Sequence, residues 1–476
     1  MGGPDKNAAL RALLDEAEMS NTALASAVVA AGRREGIHLG TSSTTVRRML
    51  DGCRPNWPTP RLVAGVLAQR LQREISVTEC GFIDSSPPDE DPYDGLRCCG
   101  TLDGTVRTVV ELTGRDMRRR KLLLGSVFSA AAFAEPALFA ITVPPAQSTA
   151  RAGGQRVGMA DVEVLTEQIT HLSKLSQQYG AGRVREQLVQ LLHRKANTLL
   201  HGSYSKKTGK ALLGTVARGT RAVGFMTADA GRHALAQRYY IQGLDLAMRA
   251  GDRPGAGGVL SRMSRLTVRI GENAPAGQDV TRHGRQAVAL ARSGLTVMEG
   301  ITNPALAAEL HALEARGFAL LGDAREARHA ALAAQRAHES SQPENQFPVS
   351  YTEVDLASDL GRCFSGIGEL DQARTLTTAS LHGIEPWKVR GRCVDQTDLA
   401  IISLHGRDLE QAAAFGRDAL RSAADLDSTI TLERLRTLQR QVHPLRSAAP
   451  SLADLDDRIT SFLTRTTRRQ PDDNSL

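Results

Sequence analysis

The chain has 476 residues, 41% hydrophobic and only 4% aromatic, with a formal net charge of +7. This is the composition of a soluble globular protein, and the length allows two or three domains with ample core. Small residues let helices approach closely, so the dominance of Ala and Leu argues for packed helix pairs and against a β-sandwich. The mild positive charge does not by itself point to nucleic acid, since net charge bears on association rather than on fold.

Residues 7–18 carry Leu10, Leu13, Leu14 and Ala17 at helical spacing. Ser20 or Asn21 can cap the next helix, over Asn21–Val29, with Leu24, Ala25, Val28 and Val29 on one face. A loop follows, and Thr41 or Ser42 can cap a third helix ending at Gly52. In that helix Val46, Met49 and Leu50 turn inward, which leaves Thr44, Arg47, Arg48 and Asp51 outward. Pro55, Pro58 and Pro60 hold off helix until about Pro60, which suits a first turn. The fourth helix buries Leu62, Val63, Val66, Leu67 and Leu71. Trp57, in the proline-rich loop, is expected as a lid on this small core. Charge is concentrated here: Arg47, Arg48, Arg54, Arg61, Arg70 and Arg73 stand against the single acid Asp51 within residues 41–73. Residues 1–83 therefore form the first expected domain.

Residues 84–158 are expected as a linker with short helices and an apolar Ala-rich segment. It opens with Pro87, Pro88 and Pro92 set among Asp84, Asp89, Glu90, Asp91 and Asp94, a stretch that cannot bury a core. Thr101–Asp116 has a helical pattern through Val106, Val109, Val110 and Leu112. The run Arg119-Arg120-Lys121-Leu122-Leu123 matches a twin-arginine export pattern and leads into an apolar stretch to Val143. Glu135-Pro136 interrupts that stretch, and a charge at bilayer depth costs roughly 2.5–3.5 kcal/mol. A packing helix is the expectation there, with a membrane-associated regulator as the competing reading.

From Met159 to about 465 the chain is helix after helix. Ala327, Ala373 and Ala412 recur 46 and 39 residues apart in similar surroundings. Each has a small residue twelve positions earlier, Ala315, Gly361 and Ala400, and Phe318 and Phe364 hold equivalent places in two of the units. Ala236, Tyr240, Gly243 and Leu244 mark a fainter unit in second-helix positions. These are features of tetratricopeptide repeats, with spacings longer than the ideal of about 34 residues. Residues 466–476 are polar and expected to be a disordered tail.

Val46, Leu50, Gly52, Arg54-Pro55, Pro58, Pro60, Leu62, Leu71, Thr78 and Gly81-Phe82 carry a resemblance. The segment resembles phage-repressor-type helix-turn-helix domains and, more closely, those of actinobacterial regulators that include streptomycete repressors of differentiation and antibiotic production. The arginine-rich linker and the repeat-like remainder are similar to that family as well. The resemblance implies an all-α protein, with a helix-turn-helix domain joined to a tetratricopeptide-like superhelix. It also implies a cytoplasmic DNA-binding repressor. One departure stands out: about ten residues, including Gly32, Gly36 and Gly40, separate the second and third helices, where the turn is ordinarily tight.

In such a motif the outward N-terminal residues of the second helix reach base edges. Thr44, Arg47 and Arg48 are those candidates, and arginine can contact guanine O6 and N7 together. Arg54 and Arg61 flank the loop and suit phosphates, as do Asn21 and Thr22 on the preceding helix. Duplex DNA is thus the expected partner, with a homodimer and a peptide, small-molecule or protein ligand in the repeat groove. A scaffold with a protein-binding N-terminal domain competes with this reading. The widened turn favours the scaffold and the arginine-rich third helix favours DNA.

No enzyme, metal or cofactor is expected. The six cysteines form no C-x-x-C pair and suit reduced thiols. His171, His193 and His201 are dispersed, and Gly255-Ala256-Gly257-Gly258 lacks the strand and the third glycine of a dinucleotide loop. No secretory leader is expected in the polar first residues.

Overall fold

The computed structural model describes residues 7–34, 39–53, 55, 58–71, 73, 75–82, 95–99, 101–117, 128–142, 149–152, 154–275, 277–340 and 351–469. The fold is all-α: the described residues contain no strand, only isolated bridges from Arg151 to Tyr204 and from Arg156 to Ser203. The chain divides into a small unit, Met1–Pro92, and a large one, Tyr93–Leu476.

Among the described residues four helices build the small unit: α1 (Ala8–Glu16), α2 (Asn21–Arg34), α3 (Ser43–Leu50) and α4 (Thr59–Leu71). Their apolar stripes meet in a separate core that includes Leu10, Leu24, Val28, Val46, Val63 and Leu67, all fully buried. Asn7 closes the bundle. Its side chain caps α1 by accepting from Leu10 N and donates to Cys80 O at 2.9 Å, while its backbone N–H donates to Leu50 O at 3.0 Å. Gly81 has φ +71° beside this residue, and a Cβ there would strike the Asn7 amide. Ser20 caps α2 and Ser42 caps α3, two of the four residues the sequence offered. α2 runs five residues past the expected Val29, because a helical Gly32 costs only about 1 kcal/mol against alanine and partly buried Ala31 extends the apolar face. Trp57 lies outside the described residues.

The large unit begins with α5 (Leu102–Met117) and α6 (Ala134–Thr142), followed by α7 (Met159–Tyr179). α8 (Arg185–Leu191) and α9 (Asn197–Leu200) are joined by a π turn over Leu192–Ala196. Six helix pairs follow. They are α10 (Lys206–Asp229) with α11 (His233–Ala250), α12 (Arg253–Glu272) with α13 (Thr281–Val297), and α14 (Pro304–Leu320) with α15 (Ala324–Glu339). The last three are α16 (Glu353–Gly366) with α17 (Leu370–Gly383), α18 (Val389–His405) with α19 (Leu409–Ala423), and α20 (Thr429–Val442) with α21 (Pro450–Arg469). The first helix of each pair also packs on the first helix of the next, from α10 through α20. The pairing is therefore propagated from one unit to the next, and the first helices form a continuous row.

The recurring residues occupy the pair interfaces. Ala315, Ala327, Ala373, Ala400 and Ala412 are fully buried. Gly361 marks the closest approach of α16 to α17: a Cβ there would strike the Thr377 hydroxyl and lie 3.4 Å from Ala373 O. Phe364 of α16 is 4% exposed in the core shared by α14 to α17, whereas Phe318 is only partly buried, with the Arg292 guanidinium 5.4 Å from its ring centre. Ala236, Tyr240 and Leu244 are buried on α11, a second helix as expected.

The described residues between 95 and 158 differ from a linker. Val106, Val109 and Leu112 of α5, together with Phe133, Ala137 and Ala140, belong to the main core of the large unit. Two buried carboxylates fasten α5 to α11: Asp245 accepts from Thr105 Oγ1 at 2.7 Å, and Asp116 accepts from Tyr239 OH at 2.7 Å. A carboxylate left unpaired in a core is costly, so these contacts fix α5 against its partner. The twin-arginine-like run Arg119–Leu123 lies outside the described residues, as do residues 470–476 of the expected tail; residues 466–469 are still in α21. No described helix is long and apolar enough to cross a membrane.

Candidate nucleic-acid interface and central cavity

α3 is short, and its start is fixed by a reciprocal cap between Ser42 and Thr45. Burial of Val46, Met49 and Leu50 turns Thr44, Arg47 and Arg48 to the exposed side. Neither guanidinium of Arg47 and Arg48 has a hydrogen-bond or ion-pair partner among the described residues. Thr22 and Arg61 are exposed and Asn21 is half-buried at the first residue of α2. Arg54 lies outside the described residues. Arg70 and Arg73 have structural partners. Arg73 bridges Glu16 at 3.0 Å and Glu79 at 3.3 Å, and Arg70 donates to Ala17 O. The fold thus sets arginines that tie the bundle together apart from those on α3, which have no partner among the described residues.

Sequence comparison covers this unit. Residues 10–83 match the SP15 N-terminal domain. The match runs from the first buried leucine of α1 to just past Phe82, so it coincides with the small core and takes in none of the helix pairs. No curated protein matches the chain.

The large unit holds a second candidate site that was missed at the sequence level. The row of first helices is lined with arginines, and α7 lies across it. Asp359 of α16 sits at the centre, gripped by both terminal nitrogens of Arg265 at 2.8 Å, by Arg316 at 2.7 Å and by Tyr351 OH at 2.8 Å. Burial opposes its charge, but Arg265 and Arg316 outweigh burial and hold the carboxyl well below the usual range. Arg316 continues to Glu272, and Arg362 and Arg434 share Asp398. Two adjoining cavities flank this network, of about 240 and about 600 Å³, and both are lined by Gln177, Phe225, Arg262, Glu309 and Tyr351.

The row is closed across its ends. Asp229, at the last turn of α10, accepts from Arg390 Nη1 of α18 at 2.9 Å and from Ser428 Oγ before α20 at 2.5 Å. Arg390 also donates to Ser176 O of α7 at 3.1 Å. A sequence signal for the lining exists in Arg262, Arg265 and Arg269 at i, i+3 and i+7, and in Arg218 and Arg221 at i and i+3. Such spacing puts arginines on one helical face, a pattern that from sequence alone is indistinguishable from a solvated surface.

Several chemistries find no support in the described residues. No group of three or more His, Cys, Asp or Glu side chains is arranged to hold a metal. The GAGG segment lies within α12. All six cysteines are free, and burial pushes the Cys80 thiol up to about 11 and those of Cys363 and Cys393 up to about 12. Such thiols stay protonated and unreactive near neutral pH.

Proposed function

We propose that the chain is a DNA-binding transcriptional regulator, acting as a cytoplasmic homodimeric repressor of differentiation or secondary metabolism. In this reading the small unit lays α3 in the major groove and the helix pairs receive the controlling signal. The observation that carries it is the pair of exposed guanidiniums of Arg47 and Arg48, without partners among the described residues, beside Thr44 on a capped helix. Arginines that are neither buried nor bridged are available to phosphates and to guanine edges. Gel shifts of the full chain against genomic fragments test the reading. Two or three neutralised phosphates per protomer make log K fall by roughly 0.9 per phosphate for each unit of log salt. A chain that forms no salt-sensitive complex is not this regulator.

The separation of α2 from α3 by residues 35–42 favours a second reading, in which the small unit docks on protein and the chain is a signalling scaffold. That reading predicts a partner complex that survives Arg47→Ala, whereas the DNA complex does not keep its sequence preference.

A further inference from the structure

The larger cavity contains a cation with no direct ion-pair partner among the described residues. Arg221, on α10, is half-buried and has no hydrogen-bond or ion-pair partner among the described residues. Its guanidinium lies against the backbone of Gly258 on α12, where a Cβ would strike Nη1. The nearby carboxylates act on Arg221 only at a distance and make their direct contacts with other groups: Glu309 with Arg265 at 3.0 Å and Arg262 at 3.7 Å, and Asp252 with Gly255 N at 2.9 Å. Arg218, one turn before Arg221, donates to Thr215 Oγ1 at 2.8 Å and opens on the same cavity. Burial and the neighbouring Arg262 cation pull the Arg221 guanidinium down to about 10. A partly desolvated charge with no direct ion-pair partner is costly, and a bound anion lowers that cost.

We propose that the cavity of about 600 Å³ binds a compact organic anion, whose carboxylate or phosphate head is held by Arg221 with Arg218 and Arg262 and whose apolar part packs on Ile169, Phe225 and Leu306. The volume lies within the range of small-molecule sites and the lining mixes apolar walls with a few convergent polar groups. Guanidinium suits either head group because its fork matches both geometries. The contacts of Asp229 with Arg390 and Ser428 close off the row of first helices, which selects a compact ligand over an extended peptide. The inference rests on the reading of the helix pairs as the sensor for its regulatory consequence alone; the binding itself does not depend on it.

Calorimetric titration of the full chain with phenyl phosphate, octanoate and inorganic phosphate, at constant ionic strength, tests the site. An amphiphilic probe is expected to saturate with Kd below about 1 mM, with inorganic phosphate weaker because it lacks the apolar part. The phosphate and carboxylate arms identify the head group. Arg221→Met is expected to weaken binding tenfold or more, and to raise Tm without probe because a desolvated charge lacking a direct partner among the described residues has been removed. Gly258→Ala displaces the guanidinium without removing charge and is also expected to weaken binding. Absence of saturation by every probe overturns the proposal, as does binding unchanged in both variants or a lower Tm in probe-free Arg221→Met. Arg47→Ala leaves probe binding intact. Probe binding without any DNA shift supports the cavity site and removes the regulator reading. A DNA shift with no probe binding does the reverse.

Discussion

The arginines of the small unit differ in what they touch, and so in what their loss should do. Arg73 is anchored by Glu16 and Glu79, while Arg47 projects from α3 without a partner among the described residues. Under the proposed docking, Arg47→Ala relaxes sequence preference by about 1–3 kcal/mol of discrimination at the base pair it reads. Arg61, exposed in the first turn of α4, would hold a phosphate, so Arg61→Ala weakens all sequences alike. Competition gel shifts with preferred and scrambled duplexes separate the two. An unchanged preference ratio in Arg47→Ala sinks the docking. The Cys53 thiol on the loop is exposed, unlike Cys80 in the core, so labelling at Cys53 offers a reporter for the same surface.

Apolar stripes hold the helices and side-chain caps fix the starts of many of them, α3 and α10 included, and these local features are what the sequence made legible. Ser42, Val46, Met49 and Leu50 follow from spacing alone, and so do the alanines between paired helices. Phe364 is in the core at a pair interface, so Phe364→Ala is expected to destabilise by about 3–5 kcal/mol in urea unfolding. A loss below about 1 kcal/mol would mean that the interface collapses around the gap. The place of α5 was not legible, because its partners Tyr239 and Asp245 on α11 lie more than a hundred residues away. Nor was the cavity. Arg265 meets Asp359 across 94 residues, and Arg316 meets it across 43. Periodicity gives the face on which an arginine lies but not what stands opposite. The pairs α12–α13 and α20–α21 escaped for a related reason: their spacing does not repeat the Ala327 pattern, and only contact with neighbouring pairs reveals them.

Across the large unit, buried acids of opposite character set the response to pH. Burial raises the Asp395 carboxyl from its ordinary 3.8 to about 6, against the pull of Arg362 and the hydroxyls of Ser380 and Ser358. The folded chain then holds this proton more tightly than the unfolded chain. Its contribution favours folding below 3.8 and is lost as pH rises toward 6. Asp359 behaves oppositely: its stabilisation is present above 3.8 and lost as pH falls through its depressed value. Asp395→Asn should therefore raise Tm relative to the parent more at pH 7 than at pH 5. Equal differences at the two pH values contradict this assignment. The contacts of Asp229 with Arg390 and Ser428 reach over 161 and 199 residues of chain. An open array of helix pairs unzips from either end, each pair leaning only on its neighbours. A seam between early and late pairs makes the array a hoop, whose closure entropy must be met before the contact rewards it, so refolding is expected to be slower than in an open array of equal length. Cutting the hoop has a remote effect: removal of α20 and α21 takes the Ser428 side of the seam from α10 as well as the outer cover from α18 and α19. Hydrogen exchange on a chain ending at Ala423 should show faster exchange at the C-terminal end of α10, whereas an unzipping array would show it only in α18 and α19.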